Sequence, residues 1–188
     1  TVSPGTIDEI LIPLIERISG RIINRGFGMC YNPEFIALGS VIKDLTSPDL
    51  VLIGESDNSS GKRLSKVYEE IYGSRSTIAR MSNVSAEITK ISLNAYVTMK
   101  ISFANTLANI CEQVSGSQID NITQALGSDK RISPHYLKGG LAYGGTCFPR
   151  DNRAFSAFAD KFGLRARLAE ATDLVNEYQI QHLFETVV

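Results

Sequence analysis

Cys147 stands in the run GGTCFPRD, a setting that suits a sulfur nucleophile. Two Gly-Gly pairs in KGGLAYGGTCFPRDNR, residues 138–153, let the main chain approach a ligand closely and adopt positive φ. The cysteine lies just ahead of an expected helix start. Free amides and the positive end of a helix favour a thiolate there, and Arg150 pushes the same way. Asp151 could act as a general base or simply cap that helix, and the sequence leaves both readings open. Cys30 and Cys111 are widely spaced with no C-x-x-C, which argues against a disulfide framework and against a zinc or other metal site. A lone cysteine is ordinarily a small buried hydrophobe. The glycine loop, the helix start and Arg150 set Cys147 apart from that fate.

A second group of polar residues lies upstream. Lys90, Asn94, Thr98, Ser102, Asn105 and Asn109 follow at steps of 4, 4, 4, 3 and 4, forming one stripe of a helix whose other sides carry Ile88, Ile91, Leu93, Ala95, Ile101, Ala104 and Ile110. Mostly uncharged polar groups in such a stripe suggest a face covered by a polar site or a partner, with a solvated face as the alternative. Lys90 and Asn94, one turn apart, could donate hydrogen bonds to one developing oxyanion. Glu34 follows Asn-Pro after an apolar run. Ligands of parallel α/β sheets bind outside the carboxyl ends of strands, so Glu34 is either a site carboxylate or an ordinary exposed glutamate at a turn.

The elements that must hold these residues are of two kinds. Residues 1–80 read as α/β. Thr6 and Glu9 make a T-x-x-E capping box for a helix carrying Ile7, Ile10, Leu11, Leu14, Ile15 and Ile18, with Gly20 as its stop and Pro13 as an interruption. Buried strands are expected over 27–31 and 50–53 and a helix over 62–72, the pattern of a partial, Rossmann-like parallel sheet. The sheet looks incomplete, so the chain reads as a piece cut inside a larger domain. Residues 81–188 read as an all-α domain. One long connecting helix runs from Ser82 or Asn83 to about Val114, roughly 50 Å at ~1.5 Å per residue, a length that suits a domain link or a dimer interface. Further helices are expected over 117–126 with Gly127 as the stop, over 151–162 with Phe155, Phe158, Ala159 and Phe162 on one side, and from Arg165 to the end with Leu168, Ala171, Val175 and Tyr178 on one side.

The 188 residues carry a formal net charge of -1, so nothing in the charge balance calls for nucleic acid or an anionic membrane. Hydrophobic residues make up 43%, enough for one sizeable core, yet no apolar run approaches the roughly 20 residues of a membrane span. The opening TVSPGTIDEI lacks the basic and apolar regions of a signal peptide, and a cytoplasmic location is expected.

Together these residues resemble the UDP-glucose and GDP-mannose dehydrogenases over essentially the whole chain. TVSPGT resembles that family's STVxPGT turn, NPEFIALGSVIKDLTSPDLVLIG its NPEF segment, EITKISLNAYVTMKISFANTLANICE its central helix and GGLAYGGTCFPRD its cysteine loop. The resemblance implies a four-electron oxidation of the C6 alcohol of a nucleotide-sugar such as UDP-glucose to the uronic acid, with two NAD reduced. It implies Cys147 as the nucleophile that forms a thiohemiacetal and then a thioester, Lys90 and Asn94 as oxyanion donors, and Asp151 as general base. Glu34 would serve thioester hydrolysis and Thr1 would position the water. It further implies contacts to the nucleotide-sugar from Glu34, Phe35, Lys90, Asn94, Tyr136, Lys138 and Gly144. Arg131 would reach a neighbouring subunit's substrate, and Thr1, Val2, Cys147 and Arg150 would lie near the NAD. A homodimer through the long helix is expected.

Two departures stand out. Leu38 occupies the position of a second family glutamate, and the sequence has no G-x-G-x-x-G. The isolated chain is therefore expected neither to bind NAD properly nor to turn over. Two other readings remain: a two-electron dehydrogenase of the 6-phosphogluconate or 3-hydroxy-acid type, which needs no cysteine, and a helical dimerisation module without catalysis.

Overall fold

The structure, a computed structural model, describes residues 1–37 and 39–187. Leu38 lies outside the described residues. The chain divides into two compact units, Thr1–Lys90 and Ile91–Val188.

In the first unit a π-helical turn, Ile7–Leu11, leads into α1, Ile12–Ser19, which ends on Gly20 at φ 66. The expected capping box does not form. Thr6 is itself helical (φ -60, ψ -41), and its hydroxyl donates to the carbonyl of Ser3 at 2.5 Å. The orphan amides go elsewhere: Gly5 N and Ile7 N donate to the two carboxylate oxygens of Glu87 at 2.7 and 2.9 Å. Pro13 has no N–H to give back to the preceding turn, and the chain is π-helical over Ile7–Leu11 directly ahead of it, so the α-helical pattern is interrupted there as expected.

The sheet has three strands in the order β1 (Cys30–Tyr31), β2 (Leu50–Glu55), β3 (Thr77–Ser82). β2 and β3 are parallel and are joined by α3, Asn58–Tyr72, the crossover that a parallel pair requires. β1 is shorter than the expected 27–31 strand and runs antiparallel to β2. Among the described residues of its connection to β2 the one helix is α2, the short Val41–Thr46. The apolar run also loses strand geometry at Gly28, where a Cβ would overlap the Ser60 hydroxyl of α3. Ile7, Ile12, Tyr31, Leu52 and Ala86 form the core of this unit.

α4, Asn83–Gln113, is the expected long helix, and Ser82 Oγ accepts from Ser85 N at 3.3 Å in its first turn. Its polar stripe is covered: Lys90, Asn94, Thr98, Ser102 and Asn105 are all buried, so it is not a solvated face. In the second unit α4 is followed by α5, Ile119–Ser128, α6, Phe148–Asp160, and α7, Arg167–Val187. Gly127 does not stop α5 but lies inside it, because a Cβ there would come within 2.9 Å of Pro134 Cα. α7 turns the other way from its apolar pattern. Ala169, Thr172, Asn176 and Gln179 are buried, whereas Leu168, Leu174 and Tyr178 are exposed. Polar partners on α4 and in the cysteine loop, invisible to a helical period, decide that orientation. Among the described residues no helix is long and apolar enough to cross a membrane.

Candidate active site

Cys147 occupies the residue before α6. The helix begins at Phe148 with Pro149 in its first turn, earlier than the expected Asp151, and Asp151 N donates to Cys147 O at 2.8 Å to close that turn. The thiol side chain is exposed, with Thr146 Oγ1 at 3.7 Å from the sulfur. Asp151 is therefore not the cap. Its carboxylate is 1% exposed and lies between two donors: Asn94 Nδ2 reaches Oδ2 at 2.7 Å, and Arg150 Nε reaches Oδ1 at 2.8 Å. Asp151 and, more weakly, the Cys147 sulfur hold the Arg150 guanidinium above its ordinary range. One neutral and one cationic donor thus hold this buried carboxylate at a fixed place.

The loop ahead of Cys147 is held by Asn105 of the α4 stripe and by Asp173, Asn176 and Gln179 of α7, three side chains that sequence reasoning did not single out. Asn105 Oδ1 accepts from Gly140 N at 2.9 Å, and its amide donates to Leu141 O at 3.2 Å. Gln179 Nε2 donates to Gly140 O at 2.9 Å. Asn176 pairs with Tyr143 on both sides of the residue, accepting from its N at 2.7 Å and donating to its O at 3.0 Å. Tyr143 OH donates to Asp173 Oδ1 at 2.6 Å, and the same oxygen accepts from Asn152 Nδ2 at 2.7 Å. Burial, followed by the bond to Asp173, raises the Tyr143 phenol well above its usual range. The signal that could have found this group is the 3- and 4-residue spacing of Thr172, Asn176 and Gln179, a polar stripe on α7 matching the one on α4.

Of the sequence-predicted residues in the first unit, Lys90, Glu34 and Phe35 are brought together. Lys90 Nζ donates to the Glu34 carbonyl at 2.5 Å and lies 4.4 Å from the centre of the Phe35 ring. Asn32 fixes the turn that carries them, donating to Leu52 O at 2.8 Å and accepting from Tyr68 OH at 2.5 Å. The Glu34 side chain is exposed. Thr1 is exposed at the start of the turn, while Val2 packs against the core cluster.

Arg131, Tyr136, Lys138 and Gly144 are exposed in the second unit. Arg131 is held by Asp129 of its own chain, through Nη2 at 2.6 Å and Nε at 3.0 Å. Tyr136 adopts φ 60 in a segment tied to α4 by Lys100, whose Nζ donates to the carbonyls of Ile132 and Ser133 at 3.0 and 3.1 Å.

The sequence profile of the UDP-glucose/GDP-mannose dehydrogenase family, central domain, matches residues 84–178, and that of the same family's NAD binding domain matches residues 1–72. The chain is 35% identical to the GDP-mannose 6-dehydrogenase of Pseudomonas putida, over all of this chain and 42% of that protein. It is 36% identical to the UDP-glucose 6-dehydrogenase of Pseudomonas aeruginosa, over all of this chain and 41% of that protein. The solved UDP-glucose dehydrogenase of Pyrobaculum islandicum superposes with a TM-score of 0.86 at 34% identity, over 95% of this chain and 40% of that one. The chain thus spans about two fifths of the length of the relatives it matches.

Proposed function

The chain belongs to the UDP-glucose/GDP-mannose dehydrogenase family, and from that premise we propose that it carries the cysteine chemistry of an NAD-dependent nucleotide-sugar 6-dehydrogenase. The observation that carries this reading is Cys147. It is an exposed thiol at the start of α6, one helical turn from a buried aspartate already held by Asn94 and Arg150.

The substrate is a nucleotide-sugar of the UDP-glucose type, oxidised at C6 from alcohol to carboxylate. At the aldehyde stage the Cys147 sulfur forms a bond to C6, and the carbonyl oxygen takes up a proton to give a thiohemiacetal. Lys90 and Asn94 donate hydrogen bonds to that oxygen as charge develops on it. Loss of a hydride and a proton leaves the thioester. Water then attacks C6, the C–S bond breaks, the carboxylate departs and the thiol is regained. Asp151 accepts and returns protons, while Glu34 and Thr1 orient the water. Phe35, Tyr136, Lys138 and Gly144 contact the nucleotide-sugar, Arg131 reaches the substrate of a second subunit, and the assembly is a homodimer through α4.

Bound NAD would supply the hydride acceptor for each oxidation. The residues of this chain fit only part of that cofactor. The amides that open α3, the helix of the β2–α3–β3 unit, are already taken: Asp57 accepts from Ser59 N at 2.8 Å and Ser60 N at 3.0 Å, which leaves that helix start closed to a diphosphate. Thr1, Val2, Cys147 and Arg150 are the residues of this chain that would lie near the NAD. A polypeptide of these 188 residues by itself is accordingly expected to give no NADH with any nucleotide-sugar.

The decisive experiment replaces Cys147 by Ser in the full-length protein and follows NADH with UDP-glucose and GDP-mannose. Turnover is expected to fall by more than about 100-fold, since removal of a nucleophile abolishes the covalent route. Near-normal turnover would instead indicate a two-electron dehydrogenase that needs no cysteine.

A further inference from the structure

Cys147 hangs between two anchor points that both belong to α7. Upstream, Tyr143 is fixed at its amide and carbonyl by Asn176 and at its hydroxyl by Asp173. Downstream, Asn152 in the first turns of α6 donates to Asp173 Oδ1 at 2.7 Å and to Ala169 O at 2.9 Å. A single carboxylate oxygen therefore ties together the two ends of the cysteine loop. The Tyr143 ring also meets the Phe148 ring edge-on, with centroids 6.3 Å apart, so its anchorage reaches the residue next to the thiol. Between the anchors, Gly144, Gly145 and Thr146 are exposed, and Gly145 adopts φ 79. The segment with the least side-chain restraint is the one whose reach Tyr143 and Asn152 set.

We propose that Asp173 and Asn176 are positioning residues that fix where Cys147 meets the aldehyde, acting through Tyr143 and Asn152 and touching neither substrate nor cofactor; the inference rests on the functional reading above. Loss of either anchor lets the thiol wander from the attack geometry, and capture of a carbonyl carbon is sensitive to displacements on the order of 1 Å. The oxidation from alcohol to aldehyde needs no sulfur. The expected lesion is thus specific: aldehyde forms and is not captured.

The test uses the full-length protein and three variants. Asp173→Ala removes the shared acceptor. Asn176→Asp keeps the acceptor for Tyr143 N but sets a carboxylate oxygen against Tyr143 O. Asp173→Asn keeps an acceptor oxygen for Tyr143 and Asn152, removes the charge and replaces the second oxygen by an NH2. NADH formed per nucleotide-sugar is measured with methoxyamine present, which condenses with free aldehyde to an oxime and water, and the oxime is quantified by mass spectrometry.

The wild type is expected to give two NADH per sugar with little oxime. Asp173→Ala and Asn176→Asp should move towards one NADH with oxime accumulating, kcat lower by about tenfold or more and KM within about twofold. Asp173→Asn should stay close to wild type. Two NADH per sugar and unchanged kcat in both disruptive variants overturn the proposal. So does an Asp173→Asn variant as impaired as Asp173→Ala, because charge rather than anchorage would then be at work. If Asp173→Ala fails to fold, Asn176→Asp decides the matter. A wild type that reduces no NAD sinks the functional reading itself and the positioning role with it, an outcome distinct from failure of the clamp alone.

Discussion

The three thiols differ in what surrounds them, and the difference is chemical. Cys30 is partly buried on β1. Burial, then the charges of Glu55 and Asp57, raise its pKa and keep it protonated at neutral pH. Cys111 is partly buried on α4, whereas Cys147 is exposed at a helix start. Iodoacetamide at neutral pH is expected to label Cys147 at least about tenfold faster than Cys30, a ratio set by thiolate fraction and access together. Peptide mass spectrometry over a time course measures it, and equal rates at all three would count against a nucleophilic Cys147. At this scale much of the site was legible in the sequence, because the Gly-Gly pair, Pro149, Arg150 and Asp151 lie within a few residues of the sulfur. That Asp151 is not the helix cap was not legible. It depends on Asn94, 57 residues away in the chain, and no local pattern reports such a contact.

At the scale of elements, the long helix and its polar stripe could be read because α4 has a sustained period and no Gly or Pro. The parallel sheet expected from the strands over 27–31 and 50–53 is not what those two form, since they pair antiparallel; the parallel partner of β2 is β3, whose Arg80 breaks the apolar pattern and is paired with Glu55 of β2 at 2.7 Å. The apolar residues that share one side of α7 do not mark its buried face, which is the polar one. Glu87 is another long-range decision. Its carboxylate replaces the local capping box and joins α4 to the turn that follows Val2. At low pH, where the Glu87 contribution is fully present, Glu87→Gln is expected to destabilise the fold by about 1–3 kcal/mol, because an amide can offer only one acceptor oxygen to two buried N–H groups. Burial, aided by Asp8 and Glu9, raises the Glu87 pKa above its ordinary 4.5 despite the two amide bonds. A carboxyl with a raised folded-state pKa contributes stability that is fully present below the unfolded value and lost as pH rises through the folded one. The stability gap between wild type and Glu87→Gln should therefore be widest below about pH 4.5 and narrow above it, as urea unfolding across pH 4 to 7 would reveal. A gap that widens with pH would contradict this assignment of the shift.

At the scale of the whole molecule, the formal charge of -1 offers little electrostatic repulsion between copies, so exposed apolar surface governs association. In the second unit one stretch of such surface lies where α4 meets α7, in an open groove lined by Ile110, Val114, Leu174, Val175 and Tyr178. The proposed homodimer would cover that groove. Burying one leucine side chain contributes about 2 kcal/mol, and in an isologous dimer each position counts twice, so losing Leu174 costs about 4 kcal/mol, close to a thousandfold in dissociation constant. Leu174→Glu should therefore turn a dimer in sedimentation equilibrium into a monomer at the same concentration. Ile18→Glu, equally apolar and exposed but on α1, should leave the dimer unchanged. If both variants and the wild type sediment as monomers at high concentration, α4 and α7 do not form the interface and the groove needs another occupant. If Ile18→Glu alone dissociates the dimer, the contact runs through the first unit, and the length of α4 must be explained by its continuity between the two units rather than by pairing with a second copy.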